Sequence, residues 1–229
     1  MPAQNVINNI QTSSANILTF LANGTYTPSA AVLYAVVECV GGGGGSAGVD
    51  APGALEVSTS SSGGSGGYVR KTYSRSSLVP SVTVTVGTGG AGGAAGANPG
   101  TAGGDTTFLG LTAGGGQPGI GTAAGATAAA DGGLGGTATG GDVNIVGYTG
   151  ASASFQRDAT YFITNQAPVD TPSQAASGGV YNPNQTPRSG SLYGGGASGH
   201  CRTDSFFPGS QAGAAGAAGI VIITEFLGA

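Results

Sequence analysis

The chain has 229 residues, a length that fits one domain. It carries 48 glycines and 11 prolines, 39% apolar and only 7% charged residues, and a formal net charge of −4. Disordered chains combine low hydrophobicity with high charge, and this one has neither, so it is expected to collapse or assemble. Six basic residues in all exclude the electrostatic footprint of a nucleic-acid binder, and no apolar run is long enough for a membrane-spanning helix.

Residues 1–16 are polar and asparagine-rich, with Val6, Ile7 and Ile10 as the large apolar side chains. They read either as a frayed terminus or as a short docking segment. No basic stretch followed by an apolar one opens the chain, so synthesis in the cytoplasm without a signal peptide is expected. Ile17 to Pro28 reads as a hairpin turning at Asn23-Gly24, since both residues tolerate positive φ. Val32 to Val40 is β-branched and apolar, as in a strand buried on both faces. Ser46 to Gly67 reads as a polar loop. Tyr68 to Tyr73 is a strand with Tyr68, Arg70 and Thr72 on one face and Val69, Lys71 and Tyr73 on the other. Val82 to Val86 alternates cleanly, Phe108 to Thr112 is a shorter strand, and Ile220 to Phe226 is a closing β-branched run. The alanine-rich stretch Ala123 to Ala130 lacks a helical period. The expected fold is all-β and irregular with little or no helix: a sandwich-like set of short strands in which the C-terminal strand pairs with early ones.

Glycine is clustered, and its spacing carries information. It recurs every third residue at Gly87, Gly90, Gly93 and Gly96, and again at Gly213, Gly216 and Gly219. Polyproline II has three residues per turn and no internal hydrogen bonds. A period of three therefore lays a bare stripe along one side, where neighbouring backbones can approach and pair their N–H and C=O groups. The register breaks at Asn98-Pro99-Gly100, which rejects a collagen triple helix. Packed polyglycine-II-like segments framed by the strands remain. An ice-binding face would need regular threonine spacing, which is not evident along the sequence.

Chemical motifs are sparse. Gly63 to Gly67 matches G-x-S-x-G, but a nucleophile elbow needs a strand before it, a helix after it and a nearby base; Ser65 with the single histidine, His200, is a poor pair. Repeated G-x-G-x-x-G lies outside any βαβ unit, and Lys71-Thr72 lacks the glycine of a phosphate loop. His200, Cys201 and Asp204 make a thin metal-ligand set, and the carboxylates form no glycosidase pair. No enzyme activity, cofactor or metal is expected. Cys39 reads as a buried thiol.

Residues 148–207 hold less glycine and more aromatic, arginine and proline residues. These side chains either fill a small core or form an adaptable recognition surface. Tyr161 and Phe162 look core-like. The candidate receptor-binding residues are Arg157, Tyr181, Arg188, Tyr193, His200 and Arg202.

The order of blocks, LTFLANGTYTP and VLYAVVECVGGGGG, then GGSGGYVRKTYS, VTVTVGTGGAGG, GGDTTFLGLTAGGG and GAAGIVIITEF, resembles the glycine-rich domain of bacteriophage tail fibres and receptor-binding adhesins. The resemblance covers most of 17–229. It implies a virion protein at the tail or fibre tip, a homotrimer that binds a bacterial surface glycan or outer-membrane protein. Other tail or fibre subunits would be contacted through residues 1–16. A structural virion component, such as a tail or capsid spike that touches no receptor, is the alternative.

Overall fold

The computed structural model describes residues 14–157, 162–166, 186–203 and 209–228. In chain order the strands are β1 (Ser14–Phe20), β2 (Gly24–Tyr26), β3 (Val32–Val40), β4 (Val57–Ser60), β5 (Tyr68–Ser74), β6 (Val82–Thr85), β7 (Thr106–Phe108) and β8 (Leu111–Ala113). They continue with β9 (Thr127–Ala130), β10 (Ala138–Thr139), β11 (Val143–Ile145), β12 (Ala153–Arg157), β13 (Phe162–Gln166), β14 (His200–Thr203) and β15 (Ile220–Leu227). One helical turn, α1 (Arg75–Leu78), separates β5 from β6.

Two five-stranded antiparallel sheets, ordered β1-β15-β3-β5-β11 and β10-β8-β7-β6-β2, sandwich the main core. Alternation places Ala35, Val37, Cys39, Val69, Tyr73, Val221 and Ile223 inward from the first sheet, against Tyr26, Val82, Val84, Phe108 and Leu111 of the second. The Phe108 ring meets Tyr26 and Tyr73 at centroid distances of 5.9 and 5.8 Å. The C-terminal β15 pairs with both early strands, β1 and β3, as expected.

Several sequence expectations change. Residues 17–28 do not form a hairpin: β1 pairs with β15 and β2 pairs with β6, so the chain crosses between sheets at 21–23. Neither Asn23 nor Gly24 takes a positive φ; Asn23 instead accepts the Val86 N–H at 2.8 Å and ties the corner to the second sheet. The tight hairpin is β7–β8, where Leu109 (φ 38°) and Gly110 (φ 78°) make the turn. β3 buries Ala35, Val37 and Cys39 on one face; on the other, Val32 and Val40 are buried at its ends, but Tyr34 is exposed and Val36 and Glu38 are half-buried. The alanine-rich stretch supplies β9 in the second half of the chain.

The outer face of the second sheet is a row of threonines. Thr85, Thr107, Thr112 and Thr139 sit opposite one another on successive strands, and Thr25 faces Thr83. Their regular spacing, about 4.8 Å between strands, runs across the sheet and not along the sequence.

From the sandwich the chain runs outward and back repeatedly as glycine-rich segments. The central one, 41–49, shows the rule. The N–H groups of Gly41 and Gly44 bond to Gly67 and Gly64, those of Gly42 and Gly45 to Gly104 and Thr101, and those of Gly43 and Ser46 to Ala217 and Ala214, at 2.8–3.0 Å. Its carbonyls accept from three further segments: Gly42 and Gly45 from Gly116 and Gly119, Gly43 and Ser46 from Gly90 and Gly93, and Gly44 from Ala197. Each successive residue addresses a different neighbour and the fourth returns to the first, as three residues per turn require. This is a polyglycine-II-like bundle.

Residues 61–67, read as loop from sequence, are a second buried segment of it, bonding to Ile120, Gln117 and Gly114, to Ala151 and Tyr148, and to Ala197 and Gly194. Ser46, Ser61, Ser62 and Ser65 are fully buried here, and their Oγ atoms accept the N–H groups of Ala214, Ile120, Gly199 and Tyr148.

The glycines are required by contact. A Cβ on Gly43 would lie 2.0 Å from the Gly195 carbonyl oxygen, and one on Gly66 would lie 2.0 Å from that of Gly41. Backbone cannot yield as a side-chain tip can. Gly66→Ala is therefore expected to lower stability by about 3 kcal/mol or more. Gly209→Ala, where a Cβ meets nothing within 4 Å, should stay within about 0.5 kcal/mol of wild type. Urea unfolding monitored by circular dichroism compares the two; equal midpoints would refute the close-packed bundle.

Candidate recognition surface

The end of the bundle away from the sandwich is capped by two small sheets, β14-β4 and β13-β12-β9. Val57, Ala128, Ala151, Ala153 and Cys201 form a satellite core beneath them. Small side chains dominate it because the chain leaves the narrow bundle at this point with little room between backbones. β4 bridges to Gly125 and Gly121, which joins this cap to the segment that ends near 121.

The candidate residues do not all gather there. Arg188 is exposed at the far end, where its N–H donates to Ser198 Oγ at 2.7 Å and its carbonyl accepts the Ser198 N–H at 2.9 Å. Two residues on, the Gly190 N–H bonds to Ala215 and the chain turns back through Leu192 (φ 56°) and Gly194 (φ 73°). Tyr193, 40% exposed beside an 80% exposed Leu192, stands on that turn. Residues 194–199 then return outward to β14. Six residues at about 3.1 Å each make roughly 19 Å. Tyr193 therefore faces the sandwich end, apart from the others.

His200 and Arg202 lie on β14, paired with Ser60 and Ser58 of β4. His200 was expected on the receptor-binding surface, but it is fully buried. Its Nδ1 lies 3.0 Å from Ser60 Oγ, and that same Oγ accepts the His200 N–H at 3.1 Å. Its Nε2 is buried and has no hydrogen-bond partner among the described residues. Burial, with the Arg202 charge adding to it, holds the imidazole neutral and lowers its pKa from 6.5 to about 4. The strand pattern aims residue 200 inward, which a reading of composition alone misses. Arg202 is half-buried and donates through Nη2 to Gln211 Oε1. Arg157 ends β12, opposite Phe162. The orientation of its side chain, those of Tyr161 and Phe162, and all of Tyr181 lie outside the described residues.

Ser65 Oγ holds the Tyr148 N–H at 2.7 Å, whereas the ring of His200 is placed against Ser60. The G-x-S-x-G match is thus a bundle segment whose serine serves as a backbone acceptor. Cys39 and Cys201 are buried; burial, with the Glu38 charge second, pushes the Cys39 thiol up to about 12. Among the described residues no three of His, Cys, Asp and Glu cluster to hold a metal.

One polar residue went unnoticed in the sequence. Glu225 is fully buried where β15 meets the crossover between the sheets. Its carboxylate accepts from Tyr26 OH at 2.8 Å, the Ser29 N–H at 2.9 Å, the Ser29 hydroxyl and Asn16 Nδ2 at 3.1 Å. Burial acts to raise its pKa, but the Ser29, Tyr26 and Asn16 donors together outweigh it and the net shift is downward. The signal available was a single acid inside a β-branched run.

These shifts set opposite ends of an acid window. The unfolded chain protonates His200 near 6.5 while the folded chain resists until about 4, so stability present above 6.5 is lost as pH falls across that interval. Glu225 takes over below its ordinary 4.5, where its stabilisation disappears as pH falls through its lowered folded value. His200→Asn should flatten the upper slope and Glu225→Gln the lower one in urea midpoints measured from pH 7 to 3. Unchanged slopes in both variants would contradict these assignments.

No curated protein sequence matches the chain. The frame itself is recognised: the family model described as a glycine-rich domain matches residues 19–225, from β1 to the buried carboxylate of β15. Apart from the start of β1 and the end of β15, strands, bundle and cap fall inside that span, and the chain belongs to the glycine-rich domain family.

Proposed function

We propose that the chain is a phage virion attachment protein, a tail fibre or fibre tip, that binds a bacterial surface glycan or outer-membrane protein without chemistry. The observation that carries this reading is the placement of Arg188 and β14 at the far end of a bundle whose backbone is internally bonded. A scaffold of this kind presents its end loops with little ordering left to lose, which favours binding. In this reading the protein resides on the virion, is held by other tail or fibre subunits through residues 1–16, and works as a homotrimer.

A structural role without receptor contact is the second reading. It is favoured by the outward face of the first sheet, where Ile17, Tyr34, Val143 and Ile145 are exposed. That reading puts Arg188 and Tyr193 against virion neighbours.

Competition separates the two. Purified chain should block adsorption of the phage to its host cells, and sedimentation of the same sample reports whether it assembles in threes. Arg188→Ala should need about tenfold more protein for equal blocking, the loss of one contact worth roughly 1.4 kcal/mol. Tyr193→Ala should block like wild type. Wild-type protein that neither binds cells nor competes would refute receptor binding and leave the structural role.

A further inference from the structure

We propose that β1 is a docking strand: an uncharged, extended segment of the subunit that carries this chain adds to its free edge. The inference rests on the reading above that another virion subunit carries the protein. It specifies the partner's chemistry and the way it binds.

The edges of the sheets differ. An edge strand offers unpaired N–H and C=O groups to any extended chain, and folds blunt such edges by shortness, charge, proline or bulges. β2 has three residues, β10 has two, and β11 has three. At β11, Asp142 accepts the Thr72 N–H at 3.0 Å and Lys71 Nζ donates to the Gly140 carbonyl at 3.2 Å, so charges flank that edge. β1 has none of these devices. Its seven residues, SANILTF, contain no charge and no proline, and it pairs with β15 in one continuous register without a bulge. It is the longest edge strand among the described residues, and no described strand covers its other side.

The side chains at this edge are also incompletely covered. Leu18 and Phe20 point toward the main core but are only partly buried. Ile17, on the opposite face, is 67% exposed and continues a surface that holds Tyr34 stacked on Phe226 at 4.6 Å. An added strand would complete both faces if it carried apolar residues opposite Leu18 and Phe20. Absence of charge on β1 calls for an uncharged partner, since a charge there would be desolvated without a counter-ion.

A second copy of this chain fits less well. Antiparallel pairing centred on Ile17 sets Asn16 against Leu18 and Ser14 against Phe20, polar against apolar at both core-facing positions. Moving the register to match Leu18 with Leu18 still leaves Phe20 against Asn16. Centring it on Thr19 sets Leu18 against Phe20, but then only residues 18–20 of each strand overlap, because β1 ends at Phe20. Strand addition by a different chain has no such conflict.

The test uses particles of the phage assembled without this chain, mixed with purified full-length protein and separated by sedimentation. Ile17→Lys and Thr19→Lys place a charge on the free edge at exposed positions, and Val143→Lys makes the same change at β11. Wild type and Val143→Lys should sediment with particles, and the two β1 variants should lose at least tenfold in uptake with unchanged melting temperature. Amides of 14–20 should gain exchange protection on the particle. Equal uptake of the β1 variants overturns strand addition while leaving carriage intact. Failure of wild type to join particles overturns both. Self-association of the free protein that Ile17→Lys abolishes would make a second copy the occupant. Faster exchange of 14–20 after removal of residues 1–13 would make it the chain's own terminus. Either result overturns the proposal.

Discussion

Every buried amide in the glycine bundle must find an acceptor on another segment, because its own segment offers none. A helix satisfies its amides internally, and a sheet satisfies them with two neighbours. Here the central segment 41–49 uses six, donating to three and accepting from three. Such an arrangement holds only when axes come close enough for N–H to C=O contact on all sides. A Cβ then meets carbonyl oxygen at about 2 Å at position after position. Composition, low charge and the buried serines follow from that constraint. Serine is admitted where its hydroxyl can accept a backbone N–H, and larger residues are displaced to the ends.

The bundle cannot set its own boundaries, so the two ends do it. In the sandwich, β3, β5, β6, β8 and β15 each lead into or out of a glycine segment, and their ladders fix where each segment starts. Large side chains such as Tyr26, Phe108 and Tyr73 concentrate there and supply the apolar burial that the bundle lacks. Glu225 joins β15 to the β1 and β2 crossover through four donors. A buried acid of this kind stabilises the register only while every donor is present, which makes it a specificity device more than a source of net stability.

Much of the frame was legible in the sequence, since strands and polyglycine-II segments both have short periods. β3 could be read directly from its β-branched run, and the glycines at 87, 90, 93 and 96 announced their geometry. What failed involved partners distant in sequence. Asn23-Gly24 carries hairpin chemistry, yet β15 outcompetes β2 for β1. Residues 61–67 look like linker because their composition does not reveal which segments surround them. The threonine row exists only after four strands align. For the candidate surface the residue types were visible, but not their direction. One turn sends Tyr193 toward the sandwich, and one strand register turns His200 inward. Charge and aromaticity say nothing about either.

The three-residue turn also limits how such a protein can change length. Inserting one residue in a bundle segment rotates every later donor by a third of a turn and aims it at the wrong neighbour. Inserting three restores the pattern one turn further on. Length inside the bundle is thus quantised, whereas the connections at its far end carry no such rule. Descendants of this chain can lengthen the frame only in steps of three, yet they can redraw the far-end loops by any number of residues.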